Sequence, residues 1–97
     1  MENRHPFRPK YLKFDNTSYF FREELNGIVS FKRGNYFIEN SLLDIAVWGR
    51  TRNEAEEAFA FAFHALYENF AKKDDKNLAS NASRLRSILE FITRTIA

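Results

Sequence analysis

The spacing of the hydrophobic residues changes at Gly49, and this change constrains the fold more than any other feature of the chain. Before Gly49, short segments rich in β-branched and aromatic residues alternate with clusters of Asn, Asp and Gly, which is typical of strands joined by tight turns. After Gly49, apolar residues recur every three or four positions, as in amphipathic helices. Because the strand pattern is complete before the helical pattern begins, we expect an α+β protein.

Five short strands are predicted between about residues 10 and 48. The links between them are too short for a crossover, so consecutive strands should be antiparallel neighbours in a four- or five-stranded sheet. Asn26-Gly27 is the strongest hairpin signal, since both residues tolerate positive φ, and Arg33-Gly34-Asn35 predicts a second tight turn. The predicted segments are residues 11–14, 18–25, 28–32, 36–39 and 44–48.

A long helix of about residues 52–71 should follow the strands and pack against the sheet. Thr51 and Glu54 predict a capping box, in which each side chain accepts a hydrogen bond from the other residue's amide. The apolar stripe expected to face the sheet consists of Ala55, Phe59, Ala62, Phe63, Leu66 and Phe70. One sheet face cannot also cover the second stripe, which consists of Ala58, Phe61 and Ala65.

A last amphipathic helix is predicted over about residues 77–96, with one apolar stripe made of Leu85, Ile88, Leu89, Ile92 and Ile96. This helix can fold onto the second stripe of the first helix or pair with a copy of itself, and the sequence leaves both open. Residues 1–9 are expected to form a basic arm, because Pro6 and Pro9 disfavour a helix and a central strand. Residues 10–97 then form a single α+β domain.

Composition narrows the class of protein. The chain has 97 residues, no Cys, and 15 basic against 13 acidic residues, a balance too even for a dedicated nucleic-acid binder. Since no apolar run is long enough to span a bilayer or to serve as a signal peptide, we expect a cytoplasmic protein with no membrane contact. Two separated His and three separated Gly provide no spacing for a metal site, a triad or a phosphate loop. We therefore predict no catalytic residues, cofactor or metal.

Residues 28–70 carry two motifs that resemble the HicB-like antitoxin fold. The first is the aromatic strand Tyr36-Phe37-Ile38-Glu39, and the second is Gly49-Arg50-Thr51-Arg52-Asn53-Glu54-Ala55, which matches the family's Gly-x-Thr-x-x-Glu-Ala before a helix. The resemblance implies a partial ribonuclease-H-like scaffold without catalytic residues. It also implies a homo-oligomer that binds a small toxin ribonuclease. The chain departs from the family between these motifs, where Asn40-Ser41-Leu42-Leu43-Asp44 has no Pro or Gly.

These observations together predict a non-enzymatic module that binds a protein partner through a sheet edge or a helix surface and forms a homodimer. The partner is either a small toxin ribonuclease or, if the chain is an orphan relative of the family, another protein. The candidate partner-binding residues are Trp48, Arg50, Phe61, His64 and Ala65.

Two alternatives remain open from the sequence. The first is a nucleic-acid-binding module that uses the basic arm with Arg50 and Arg52, and its binding should weaken steeply with salt. The second is the relic of a metal-dependent nuclease, which would require at least two carboxylates to converge among Asp15, Glu39, Asp44 and Glu54.

Overall fold

The computed structural model describes residues 3–71 and 80–97 and confirms the α+β class. The elements in chain order are β1 (Asn3–Phe7), β2 (Tyr11–Phe14), β3 (Thr17–Phe21), β4 (Gly27–Lys32), β5 (Asn35–Asn40), β6 (Ile45–Gly49), α1 (Arg52–Leu66), a π-helical turn (Tyr67–Ala71), α2 (Ser80–Ile92) and β7 (Thr93–Ile96). The strands form two antiparallel sheets. The large sheet has the order β1-β4-β5-β6, and the small sheet has the order β2-β3-β7.

Local turn chemistry explains two of the hairpins. Arg33 and Gly34 have φ of 54° and 79° and connect β4 to β5 through a two-residue turn, which confirms the tight turn predicted there. Asp15, with φ of 56°, begins the turn between β2 and β3. Asp tolerates the left-handed region better than most residues with a Cβ, because its short polar side chain can hydrogen-bond locally.

The hairpin predicted at Asn26-Gly27 is wrong, because β3 and β4 belong to different sheets. The chain after β3 is instead held beside the N-terminal segment, where the amide of Leu25 donates to the carbonyl of Pro9 at 2.9 Å. Gly27 instead allows β4 to pack closely between its neighbouring strands β1 and β5. A Cβ at this position would lie 2.9 Å from the carbonyl oxygen of Glu39 and 3.2 Å from that of Phe7.

The N-terminal residues are not a free arm as predicted, since Asn3–Phe7 form β1 at one edge of the large sheet. Pro6 lies opposite Ile28 in the register with β4. An edge strand accepts Pro because one row of its backbone groups needs no partner strand. The prolines therefore excluded a central strand, as argued from the sequence, but not an edge strand.

The start of α1 confirms one half of the capping box and corrects the other half. The hydroxyl of Thr51 accepts from the amide of Glu54 at 3.0 Å. The carboxylate of Glu54 accepts from the amide of Arg50 at 2.9 Å, and not from that of Thr51 as predicted. Gly49 comes so close to this turn that a Cβ there would lie 2.6 Å from the amide nitrogen of Ala55.

Helix α1 joins the two sheets through successive turns of its main stripe. Phe59 contacts Phe7 of the large sheet, with ring centroids 5.2 Å apart. One turn later, Phe63 contacts Tyr19 and Phe21 of the small sheet at 5.1 and 5.2 Å. The core therefore lies between α1 and the inner faces of both sheets, and it accounts for much of the high aromatic content.

The C-terminal helix ends earlier than predicted. α2 ends at Ile92, and Thr93–Ile96 form β7, which pairs antiparallel with β3. Two β-branched Thr in this segment disfavour a helix, and the free edge of β3 offers backbone partners. The predicted helix start near residue 77 lies outside the described residues. α2 contacts the π-helical turn and β7.

Candidate interaction surface

The large sheet has one face that neither of the described helices α1 and α2 covers, here called the outer face. Side chains alternate between the two faces along each strand. Val29, Ile38 and Val47 lie opposite one another on β4, β5 and β6, and their side chains face α1. The residues on the opposite side are exposed or half-buried in most cases. The apolar members of the outer face are Ile28, Phe37, Ala46 and Trp48, and its charged members are Arg4, Lys32 and Glu39.

Phe37 and Trp48 form the centre of the outer face. They lie directly opposite each other in the register between β5 and β6. Trp48 is 60% exposed, and Phe37 is half-buried under the ammonium group of Lys32, which lies 5.2 Å from its ring centroid. An exposed Trp beside a second aromatic ring is typical of interface centres rather than of ordinary protein surface.

The predicted partner-binding residues lie on two separate surfaces. Trp48 is on the outer face, and Arg50 follows β6 directly with an exposed side chain. Phe61, His64 and Ala65 are on α1, which packs on the inner side of the large sheet. The structure therefore does not bring these five residues together as one site.

The second stripe of α1 finds part of its cover within the same chain. The ring of Phe14, on β2, lies 5.2 Å from the ring of Phe61 and 4.9 Å from that of His64. Phe61 nevertheless remains 55% exposed, and Ala58 and Ala65 are half-buried. The neighbour of this stripe is thus the small sheet, which the sequence did not indicate.

His64 takes part in a partly buried polar contact. Its Nδ1 lies 2.7 Å from the hydroxyl of Tyr19, and its Nε2 lies 4.0 Å from a carboxylate oxygen of Glu68. Burial raises the pKa of Tyr19 to about 12, with smaller contributions from the charge of Glu68 and from Tyr67. Because Tyr19 is fully buried and its hydroxyl stays protonated at neutral pH, this contact holds the core together rather than facing a ligand.

Basic residues collect around an aromatic pair on the small sheet, in a region here called the basic cleft. Tyr11 and Phe20 lie opposite each other in β2 and β3, with ring centroids 5.9 Å apart. The cleft has a volume of about 840 Å³. Its charged lining consists of Arg8, Lys10, Arg22, Arg94, Glu23 and Glu24, so four cations face two carboxylates.

Two of the four candidate carboxylates line the same depression, and the other two lie elsewhere in the fold. Asp15 is in the turn after β2, and Glu54 caps α1, while Glu39 and Asp44 line one shallow depression of about 270 Å³ beside β6. Among residues 3–71 and 80–97, no group of three or more His, Asp or Glu side chains comes together as a metal site would require. In the same residues, no helix combines the length and the apolar character needed to cross a membrane.

The chain was compared with models of known protein families, with curated proteins and with solved structures, and none of them matches it.

Sequence reasoning identified Trp48 but missed its neighbours on the outer face. Phe37 was expected in a strand, yet its position beside Trp48 depends on the register between β5 and β6. A signal was present, because side chains alternate between the two faces along each strand and the turn between the strands is short. Counting back from that turn would have placed Phe37 and Trp48 on the same face.

Proposed function

We propose that this protein is a non-enzymatic interaction module that binds a protein partner on the outer face of its large sheet. The observation that carries the proposal is the Phe37–Trp48 pair, a large aromatic surface on the side of the sheet opposite α1. Removing apolar surface from water is favourable by about 25 cal/mol per Å², so a protein partner that covers this aromatic pair would gain affinity from it.

The class of partner follows from the HicB-like resemblance and is part of the same proposal. A small toxin ribonuclease encoded beside this chain is the partner that the resemblance implies. The succession of β4, β5, β6 and the capped helix α1 supports this assignment, since the matching motifs occupy these elements. The β6–α1 junction at Gly49 has the close packing that a glycine permits.

The test is inhibition of that ribonuclease by the purified protein, with RNA cleavage as the readout. We expect stoichiometric inhibition by the native chain and a loss of at least about tenfold in affinity for Phe37→Ala, which removes a central ring. The matched control is Phe91→Ala, because Phe91 is 73% exposed and lies on α2, away from the outer face.

Two results would contradict the proposal. If the native chain leaves the ribonuclease fully active and does not bind it, the toxin assignment fails. If Phe37→Ala and Phe91→Ala bind equally well, then a partner is bound elsewhere than on the outer face. Thermal unfolding of both variants checks that neither has lost the fold.

The basic cleft supports a second candidate function, binding of single-stranded nucleic acid. In the described part of the chain, no carboxylate forms an ion pair with Arg8, Lys10 or Arg94. The charges of these three side chains are therefore available to phosphates. The adjacent rings of Tyr11 and Phe20 can stack on bases. This cleft contains Arg8 of the predicted arm but neither Arg50 nor Arg52.

Fluorescence anisotropy with a labelled oligo-dT of about twelve nucleotides tests this candidate. Contacts with three or four phosphates predict that the logarithm of affinity falls with the logarithm of salt concentration with a slope of about −2 to −3. Lys10→Glu should weaken binding, whereas Arg33→Glu, which changes the same charge at the β4–β5 turn, should not. Absence of any anisotropy change at low salt would remove this candidate.

A further inference from the structure

The large sheet has two edges of very different character. The edge strand β1 contains Arg4, His5 and Pro6, and charges and Pro are the usual means by which natural edges avoid pairing with other chains. The opposite edge strand, β6, is Ile45-Ala46-Val47-Trp48-Gly49 and contains neither a charge nor a Pro. Only the β6 edge therefore lacks the features that prevent pairing with a further strand.

The free side of β6 is open in the described structure. β6 pairs with β5 alone, and no backbone hydrogen bond joins it to any other described segment. Helix α1 packs on the inner face of the sheet, and the side chains of Ala46 and Trp48 are exposed on the outer face. A second strand could thus add to β6 in the plane of the sheet.

The sequence around β6 is complementary to itself. When two copies of β6 run antiparallel about a two-fold axis at Val47, Ala46 of each copy lies opposite Trp48 of the other, so the smallest side chain meets the largest. Asp44 and Arg50 flank β6 just outside its two ends, so the same register brings the Asp44 end of each copy next to the Arg50 end of the other. Both side chains are exposed, and neither has a partner in the described part of the chain.

Other registers lack this agreement. Moving the two-fold axis by one residue shifts the two strands by two residues relative to each other. Side chains of the outer face then still lie opposite side chains of the outer face. Moving the axis to Trp48 sets Arg50 opposite Ala46, and moving it to Ala46 sets Asp44 opposite Trp48. In both cases a charge lies beside an apolar side chain without its partner, which costs free energy when water is excluded.

We propose that the protein forms a two-fold symmetric dimer in which β6 pairs antiparallel with β6 of a second copy about Val47, with Asp44 of each copy beside Arg50 of the other. The result is a continuous eight-stranded sheet whose two outer faces join where Trp48 of each copy lies opposite Ala46 of the other. An edge of five residues per copy is small for a protein interface, so we expect dissociation in the micromolar range, about 1–100 µM.

Sedimentation equilibrium of the protein alone, over a concentration range that spans this value, measures the dimer directly. Trp48 is the only Trp of the chain, so the concentration dependence of its emission reports burial at the axis. Arg50→Glu places two like-charged pairs in the interface and should weaken the dimer by at least about tenfold. The double variant Asp44→Lys/Arg50→Glu restores opposite charges and should recover most of that loss.

Lys13→Glu is the matched control, because it makes the same charge change at an exposed position of the small sheet, which does not contain β6. Asp44 has φ of 53°, so thermal unfolding of each variant must show that the monomer remains folded. A native chain that stays monomeric at every concentration overturns the proposal. A dimer that tolerates Arg50→Glu, or a double variant without recovery, shows that the copies meet elsewhere and also overturns it.

This experiment involves no other protein, so its outcome is independent of the proposed partner. Phe37 lies on β5, one strand away from the dimer axis, and Phe37→Ala should leave the monomer–dimer equilibrium nearly unchanged. A dimer without ribonuclease inhibition would contradict only the proposed function. Inhibition by a strictly monomeric chain would contradict only the dimer.

Discussion

The hydroxyl of Tyr19 lies 2.7 Å from Nδ1 of His64 and joins β3 to the middle of α1. Tyr19 is fully buried, with the rings of Phe63 and Tyr67 each 5.1 Å from its own ring. A buried hydroxyl without a partner would cost about 1–3 kcal/mol, so His64 is what allows a Tyr rather than a Phe at the centre of this aromatic cluster.

The raised pKa of Tyr19 predicts that stability falls in alkaline solution. The hydroxyl titrates near pH 10 in the unfolded chain and near 12 in the folded protein, so the unfolded state loses its proton first. The free energy of unfolding should therefore fall between pH 10 and about 12, by up to about 3 kcal/mol from this group.

Urea unfolding at a series of pH values, with Tyr19→Phe as the control, isolates this effect. The variant should be less stable than the native chain by about 1 kcal/mol at pH 7, because one hydrogen bond is lost. Its stability should decline less steeply above pH 10, so the order of the two proteins reverses at high pH. Parallel pH profiles would show that Tyr19 does not titrate abnormally.

Asn40 is predicted to hold the turn between β5 and β6. It is 2% exposed, donates to the carbonyl of Asn26 at 3.0 Å and accepts from the amide of Leu43 at 2.8 Å. Asn40→Leu leaves both backbone groups without this partner and should cost about 2–4 kcal/mol of unfolding free energy. Ser41→Ala, at an exposed position of the same turn, should change stability by less than about 0.5 kcal/mol.

Chemical denaturation measures these differences, and amide hydrogen exchange localises them. We expect exchange at Leu43 to accelerate in Asn40→Leu but not in Ser41→Ala. Equal denaturation midpoints for the two variants would mean that the side chain of Asn40 does not stabilise the turn.

Two glycines should respond differently to Ala. Gly49→Ala places a Cβ within 2.6 Å of the Ala55 amide nitrogen, and the backbone of the capped turn cannot yield easily. We expect a loss of about 3 kcal/mol. At Gly34, with φ of 79°, no atom lies within 4 Å of the added Cβ, so only the backbone conformation opposes it. Gly34→Ala should cost about 1 kcal/mol.

Thermal or urea unfolding ranks the two variants. Helical circular dichroism should also fall in Gly49→Ala if the first turn of α1 is displaced, and should stay unchanged in Gly34→Ala. The reverse order of stability would contradict the close packing of β6 against α1.

Thr93 should be replaceable with a gain in stability. Its Oγ1 is buried and finds no hydrogen-bond partner among residues 3–71 and 80–97. Thr93→Val keeps the shape and removes the unpaired oxygen, so the free energy of unfolding should rise by about 1 kcal/mol. Thr95→Val, in the same strand but exposed, should lie within about 0.5 kcal/mol of the native chain. A destabilised Thr93→Val would show that the hydroxyl is hydrogen-bonded after all.

The candidate site was only partly accessible to sequence reasoning. Trp48 was recognised as an apolar side chain that needs a cover, and it is exposed on the outer face. His64 belongs to the core contact with Tyr19, a residue 45 positions away in the chain. Phe37 joins Trp48 only through the register of two strands. Neighbours that are distant in sequence become visible only when the strands are paired.

The sequence by itself determined the features whose interactions span only a few residues. The Thr51–Glu54 cap, the Arg33-Gly34 turn and the main stripe of α1 all rest on local hydrogen bonds, backbone preferences or helical spacing. Tertiary structure alone decided that the strands divide between two sheets, that Asn3–Phe7 closes one edge and that Thr93–Ile96 leaves the helical pattern to pair with β3. The physical reason is that any free edge offers similar backbone hydrogen bonds. Which segment takes that edge depends on the apolar surface buried by the whole chain.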